Sequence, residues 1–221
     1  MIKAVIFDMF ETLGTHYRSP LYFSAEMAED LGLPLEKFRE DWAPTDRERS
    51  TGLISFEDII RRIMQNNGIS DEGKFNLVLE KRLNAKAEVF DHLHRGILPL
   101  LESLKARGIK IACISNCFSE EALAIRESRL AGYFDELFLS YEQGCMKPDR
   151  EIFLRCLEAL SLAPEECLYI GDGGSRELES SSELGMKALH AAWYYPDNHK
   201  NYMEIKDFPF LYDPMEVLDY L

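Results

Sequence analysis

The sequence predicts an α/β protein: a parallel sheet flanked by helices, with an all-helical segment inserted after the first strand. Three observations carry this reading. Ala4 to Phe7 is a short, unbroken apolar run rich in β-branched and aromatic side chains, which reads as a strand buried on both faces. Residues 20 to about 90 then show helical periodicity and no convincing strand. From residue 95 helix and strand patterns alternate, as parallel strands joined by helical crossovers require.

Taken in order, the insert begins with Phe23, Met27 and Leu31 at four-residue spacing, and Gly32 offers a stop. Leu35, Phe38 and Trp42 continue the helical theme until Pro44. Ser55-Phe56-Glu57-Asp58 resembles a capping box and announces a helix carrying Ile59, Ile60 and Ile63 up to Asn66-Asn67-Gly68. A fourth helix is expected to place Phe75, Leu79 and Leu83 on one face. The helical subdomain is drawn at residues 15–92, and the α/β core at 1–14 and 93–221.

In the core, Ile97, Leu100, Leu101 and Leu104 form a stripe that ends at Arg107-Gly108. Ile109 to Ile114 reads as a strand delivering Ser115 and Asn116 at its carboxyl end. A helix over residues 120–130, a short strand from Glu136 to Ser140 and a loop from Tyr141 to Asp149 follow. Ile152, Phe153, Cys156, Leu157 and Leu160 mark a further amphipathic helix, and Cys167 to Ile170 a buried strand ending in Gly171-Asp172-Gly173-Gly174. A helix through Leu184 and a strand from Lys187 to Ala192 complete the alternation. The aromatic-rich stretch from Trp193 to Tyr212 is expected to be loop and a short terminal strand before a last helix.

Asp plus Glu number 39 against Lys plus Arg 25, a formal charge of -14 that repels phosphodiester backbones and argues against nucleic-acid binding. Any anion this protein handles must be small and must meet its positive charge locally. The five cysteines are odd in number and form no CxxC pair, which argues against a disulfide framework or a zinc site. The chain opens directly into a strand, and no apolar run is long enough to span a bilayer, so the expected location is cytoplasmic, away from membranes. The oligomeric state is not legible.

Asp8 falls at the carboxyl end of the first strand, where ligand crevices of open α/β sheets lie. On this segment alone it is either a chemical group or the cap of a turn or helix. Thr12 follows it after the same strand; further strand ends carry Ser115 with Asn116, and Asp172 with Glu177, while Lys147 lies on an intervening loop. Converging carboxylates repel one another and call for a cation, for which Mg2+ has the right preference for oxygen. Lys147 and the Ser115 hydroxyl suit the oxygens of a small anion such as phosphate, with Asp8 as nucleophile.

The order Asp8 to Thr12, Ser115, Lys147-Pro148, then Gly171-Asp172 with an acid five residues on, resembles the haloacid dehalogenase superfamily of aspartate-nucleophile hydrolases, in its helical-cap branch. The resemblance implies a Rossmann-like core and a mobile cap. It implies that Asp8 forms an aspartyl-enzyme intermediate, that Thr12 supports it, that Ser115 and Asn116 bind phosphate, and that Lys147 steadies nucleophile and transferred group. It also implies an Mg2+ site at Asp172, Asp8 and the backbone carbonyl of Phe10. Two departures matter. The family's phosphatases place a second aspartate, the general acid and base, two residues after the nucleophile; here that residue is Phe10. Glu177 stands where many relatives have aspartate and still permits direct or water-mediated coordination.

The expected function is therefore Mg2+-dependent hydrolysis of a small phosphorylated metabolite whose leaving group needs little protonation, such as an acyl or aryl phosphate. Phe10 keeps two alternatives open: a 2-haloacid dehalogenase, which needs no acid and no metal, and a non-catalytic phosphate- or protein-binding relative. Glu11 is expected to point away from the Phe10 side chain. His92 and His94 read as solvated, and Cys145 as an inert loop thiol. Of the insert's arginines (Arg39, Arg47, Arg49, Arg61 and Arg62), Arg47 or Arg49 is the specificity candidate. Arg176 has no assigned role.

Overall fold

The computed structural model describes residues 1–195 and 207–221. Six parallel strands, β1 (Ala4–Phe7), β2 (Lys110–Ser115), β3 (Glu136–Leu139), β4 (Cys167–Gly171), β5 (Lys187–Ala191) and β6 (Phe210–Leu211), form one sheet in the order β3-β2-β1-β4-β5-β6. The order runs outward from β1 in both directions, so the chain reverses its winding at the carboxyl end of β1. Such a switch point leaves a crevice between diverging connections.

Between β1 and β2 lie α1 (Ser24–Leu31), α2 (Leu35–Trp42), α3 (Asp46–Ser50), α4 (Phe56–Asn66), α5 (Glu72–Glu88) and α6 (Ile97–Ala106). The remaining helices are α7 (Ser119–Glu127), α8 (Ser140–Gln143), α9 (Arg150–Leu160) and α10 (Glu177–Glu183). Alternation along β1 decides how the sheet is covered. Val5 and Phe7 pack with Leu100, Leu104 and Ile125 of α6 and α7, whereas Ala4 and Ile6 pack with Ile152, Phe153 and Leu178 of α9 and α10. The helices α1, α2, α4 and α5 enclose a separate apolar cluster that includes Met27, Leu31, Phe38, Ile59, Ile63 and Phe75. Ser55 caps α4 as its sequence suggests, accepting from the Asp58 backbone N–H while the Asp58 carboxylate accepts from that of Ser55.

Three local expectations change. Pro44 does not end the helical run; it sits in a 3-10 turn, Ala43–Thr45, that leads straight into α3, because proline is tolerated where a first-turn N–H has no partner. Ser140, expected to end a strand, instead opens α8, which takes up the start of the loop from Tyr141. Most informative is α5, whose buried side is Phe75, Val78, Arg82, Ala85 and Lys86, while Leu83 is exposed. Ion pairing lets the cations take the inner face, as the site's surroundings show below. Of the stretch Trp193 to Tyr212, residues 196–206 lie outside the described residues. Its end supplies β6, followed by a 3-10 helix, Pro214–Tyr220. Among the described residues no helix is long and apolar enough to cross a membrane.

Candidate active site

The Asp8 N–H donates to the Ile170 carbonyl at 2.8 Å, so the ladder runs one residue past β1 before the chain turns away. The turn closes through Leu13 and Gly14, whose N–H groups both donate to the Met9 carbonyl, at 2.8 and 3.0 Å. Beyond β2, the Asn116 side chain clamps Lys147 at two points: its Oδ1 accepts from the Lys147 N–H at 2.8 Å and its Nδ2 donates to the Lys147 carbonyl at 2.9 Å. That clamp brings Lys147 Nζ to 2.5 Å from Asp8 Oδ1, with the Tyr169 hydroxyl at 3.4 Å.

At the end of β4 the acidic loop is folded back on Glu177. Its two carboxylate oxygens accept from the Gly173 and Ser175 N–H groups, both at 2.7 Å. Gly171 makes this possible, because a Cβ there would sit 2.7 Å from Glu177 Oε1. Arg176 adopts a left-handed backbone, φ 53°, at the start of α10 and leaves its side chain exposed, so its visible contribution is to the turn. Carboxylate oxygens of Asp8, Asp172 and Glu177 all lie within 4.8 Å of one another.

Three carboxylates against one ammonium leave two negative charges uncompensated. Burial raises the Asp8 carboxyl to about 6; Lys147 opposes the rise and Glu177 adds to it. Burial, Asp8 and Glu177 push Asp172 well above its ordinary value. Burial alone would depress Lys147, but Asp8 and Glu177 hold it above its usual range, as an ammonium. A hard divalent cation with oxygen ligands fits this donor set and would remove the repulsion. Phe10, in the turn after Asp8, lines the same cavity as Asp8 and Asp172.

The cavity at these groups has a volume of about 310 Å³ and is lined by Asp8, Asp172, Lys147, Asn116, Gly174 and Ser175 together with Phe10, Glu11, His16, Tyr17 and Phe23. Glu11 lines the cavity together with Phe10. Its backbone is left-handed, φ 60°, which breaks the alternation assumed for it. Its carboxylate accepts from the Thr15 hydroxyl at 2.6 Å and from the His16 N–H at 3.1 Å, and its Oε1 lies 3.3 Å from His16 Nδ1. His16 Nε2 faces Lys86 Nζ at 2.8 Å. As an ammonium paired with Glu121, Lys86 has only hydrogens to offer, so Nε2 accepts and Nδ1 carries the proton toward Glu11. Burial and Lys86 lower the His16 pKa, in keeping with a neutral ring.

Behind His16 the charges continue. Arg82 Nε and Nη2 donate to Glu120 and Glu121 at 2.9 and 3.2 Å, and Lys86 lies 2.8 Å from Glu121. This fully paired group joins α5 to α7 and explains the buried cations of α5. Arg47 reaches Asp149 at 2.8 Å, and Arg49 is sandwiched between the Trp42 and Phe118 rings, 3.7 and 4.0 Å from their centroids. Neither is among the residues that line the cavity.

Of the other sequence candidates, Ser115 is fully buried at the end of β2, its hydroxyl 3.4 Å from the Asn116 carbonyl, and it does not line the cavity. Thr12 is also fully buried, and its hydroxyl has no partner among the described residues. His92 is exposed, as expected, but His94 is half-buried: its N–H donates to the Tyr194 hydroxyl at 2.7 Å and its Nδ1 accepts from the Gly96 N–H. The Cys145 thiol is buried, which raises its pKa, consistent with an inert group. Sequence reasoning missed His16, Tyr17 and Phe23, since no spacing rule links them to Asp8.

Comparison with known proteins adds three likenesses. The chain is 35% identical over 200 residues to the phosphoglycolate phosphatase of Aquifex aeolicus, covering 88% of this chain and 86% of that one. It is 28% identical over 239 residues to the phosphorylated carbohydrates phosphatase of Thermotoga maritima, covering 100% and 98%. Its fold matches the crystal structure of a 2-haloacid dehalogenase from Pseudomonas syringae pv. Tomato with a TM-score of 0.71 at 20% identity, over 99% and 97% of the two chains. With the family model matching residues 2–183, the chain belongs to the haloacid dehalogenase-like hydrolases.

Proposed function

We propose that this hydrolase removes phosphate from a small phosphorylated metabolite through an aspartyl phosphate on Asp8, with Mg2+ as cofactor. The observation that carries the reading is the meeting of Lys147 and three carboxylates at the switch point of the sheet: Lys147 Nζ is 2.5 Å from Asp8, and Asp172 and Glu177 lie within 4.8 Å of it. Carbon–halogen chemistry would have no use for the two extra acids. The phosphatase names of the sequence relatives point the same way.

In this reading Lys147 holds one Asp8 oxygen, and the other attacks phosphorus in line. The P–O bond to the leaving group breaks and its electron pair departs with that oxygen. Water then attacks phosphorus, releasing phosphate and restoring the Asp8 carboxylate. Asn116 fixes Lys147 through its backbone, Ser115 turns its hydroxyl to a phosphate oxygen, and Thr12 supports the turn behind the nucleophile. Asp8, Asp172, the Phe10 carbonyl and Glu177, the last through water, would hold Mg2+, which when bound supplies charge neutralisation and polarises the phosphoryl oxygens. Residues 15–92 act as the cap over this chemistry, and the turn at Gly52 is a part that moves.

The test measures three activities on one preparation: Mg2+-dependent phosphate release from acetyl phosphate and an aryl phosphate, halide release from a 2-haloacid, and phosphate binding without turnover. The reading predicts the first. Halide release alone establishes the dehalogenase, and binding alone the non-catalytic relative.

A further inference from the structure

We propose that the cavity selects an uncharged aryl leaving group, making aryl phosphate monoesters the substrate class; this rests on the phosphohydrolase reading. Four of the cavity's lining residues, Phe10, His16, Tyr17 and Phe23, carry rings. Phe10 and His16 stack with centroids 4.6 Å apart at 28°, His16 and Phe23 follow at 5.6 Å, and Tyr17 lines the same cavity. Both edge nitrogens of His16 are engaged, Nδ1 by Glu11 and Nε2 by Lys86. What it contributes to the wall is therefore its ring, and flat unsaturated groups pack against such rings better than saturated ones.

Charge narrows the choice further. Among the described residues that line the cavity, Lys147 is the one cation, and it is engaged with Asp8. Lys86 lies behind His16 and Phe23, its Nζ 4.9 Å from the Phe23 ring centroid, and spends its charge on Glu121. Glu11 adds a further carboxylate-bearing residue to the lining. A leaving group carrying its own carboxylate would find no free countercharge there. An uncharged ring needs none.

Phe10 supplies the third argument. It cannot donate a proton, so the departing oxygen must carry its electron pair unaided. A phenol ionises near the value of about 10 known for tyrosine, whereas an aliphatic alcohol holds its proton about as tightly as water, near 15.7. In the balanced step the Asp8 oxygen–phosphorus bond forms, the aryl oxygen–phosphorus bond breaks, and the aryloxide leaves to be protonated by solvent. The same residue thus both removes the acid and provides the surface for the group that needs none.

The experiment compares kcat/KM with Mg2+ for acetyl phosphate, phenyl phosphate, cyclohexyl phosphate and 4-carboxyphenyl phosphate, in the full chain and in Phe23→Leu. Phenyl phosphate should exceed cyclohexyl phosphate by at least about 10²-fold, the lower range for one missing general acid. Adding the carboxylate should cost about tenfold, and Phe23→Leu should lower the ratio of phenyl to acetyl phosphate turnover about tenfold. Turnover of acetyl phosphate with phenyl no better than cyclohexyl phosphate, or an unchanged phenyl-to-acetyl ratio in Phe23→Leu, overturns the aryl proposal alone. No turnover of any of the four overturns the phosphohydrolase reading itself.

Discussion

At the level of single residues, Asp8 and Phe10 divide the chemistry between them. Asp8 has its partner within 2.5 Å and a backbone tied to Ile170, so Asp8→Asn should keep the fold while turnover falls by about 10⁴-fold or more, as when nucleophiles are removed elsewhere. Steady-state kinetics alongside circular dichroism checks both halves; activity near the parent level would remove Asp8 from the mechanism. Phe10→Asp restores a proton donor where the family's phosphatases have one, and should raise cyclohexyl phosphate turnover by about 10²-fold. If that rate does not rise, the missing acid is not what limits the enzyme. Asp8, Asn116 and Asp172 were legible in the sequence because each follows a strand whose position the hydrophobic pattern fixes, and Lys147 and Glu177 because they stand at motif spacing from them. His16 and Phe23 were not. Their arrival depends on the left-handed backbone at Glu11 and on how the insert packs, neither of which a linear pattern encodes.

Among the elements, α5 departs furthest from a pattern-based reading. Apolar spacing favoured Phe75, Leu79 and Leu83 as its buried side, yet Leu83 faces solvent and Arg82 and Lys86 are 2% exposed. Periodicity treats a cation as a surface residue; it cannot see that Glu120 and Glu121 of α7 wait across the junction. Breaking such a group by removing one member leaves buried charge uncompensated, so Arg82→Met should destabilise the protein by about 3–5 kcal/mol in urea unfolding. A loss below about 1 kcal/mol would show the group to be no better than a surface pair. Glu121 gives the same junction a pH signature. Burial would raise its carboxyl, but Lys86 and Arg82 overcome that and hold it down to about 2. Its stabilising contribution is complete above the ordinary value of 4.5 and is lost as pH falls from there toward 2. Burial raises Glu120 instead, so that residue acts in the opposite sense. The stability gap between the parent and Glu121→Gln should therefore narrow across that window, and a gap that stays constant from neutral pH down to 3 would contradict the pairing.

For the whole molecule, the sheet order puts β1 at the switch point, with crossovers running to either side and the functional strand ends along one edge. The parallel alternation and the inserted helices were legible, because alternation and buried runs specify parallel crossovers strongly; the strand order was not, because it is set by packing between distant segments. The three clustered carboxylates are the feature most sensitive to a cation. Mg2+ at one hundred times its Kd should stabilise the fold by about 2.7 kcal/mol through mass action, and Asp172→Ala should abolish the thermal shift; an equal shift in the variant would place the ion elsewhere. The central claim is that Asp8 itself becomes phosphorylated. The direct test is acid-quenched mass spectrometry of the Asp8 peptide during turnover of acetyl or phenyl phosphate with Mg2+. The account predicts one added phosphoryl group on Asp8, absent from Asp8→Asn, whereas phosphate release with Asp8 never modified would contradict it.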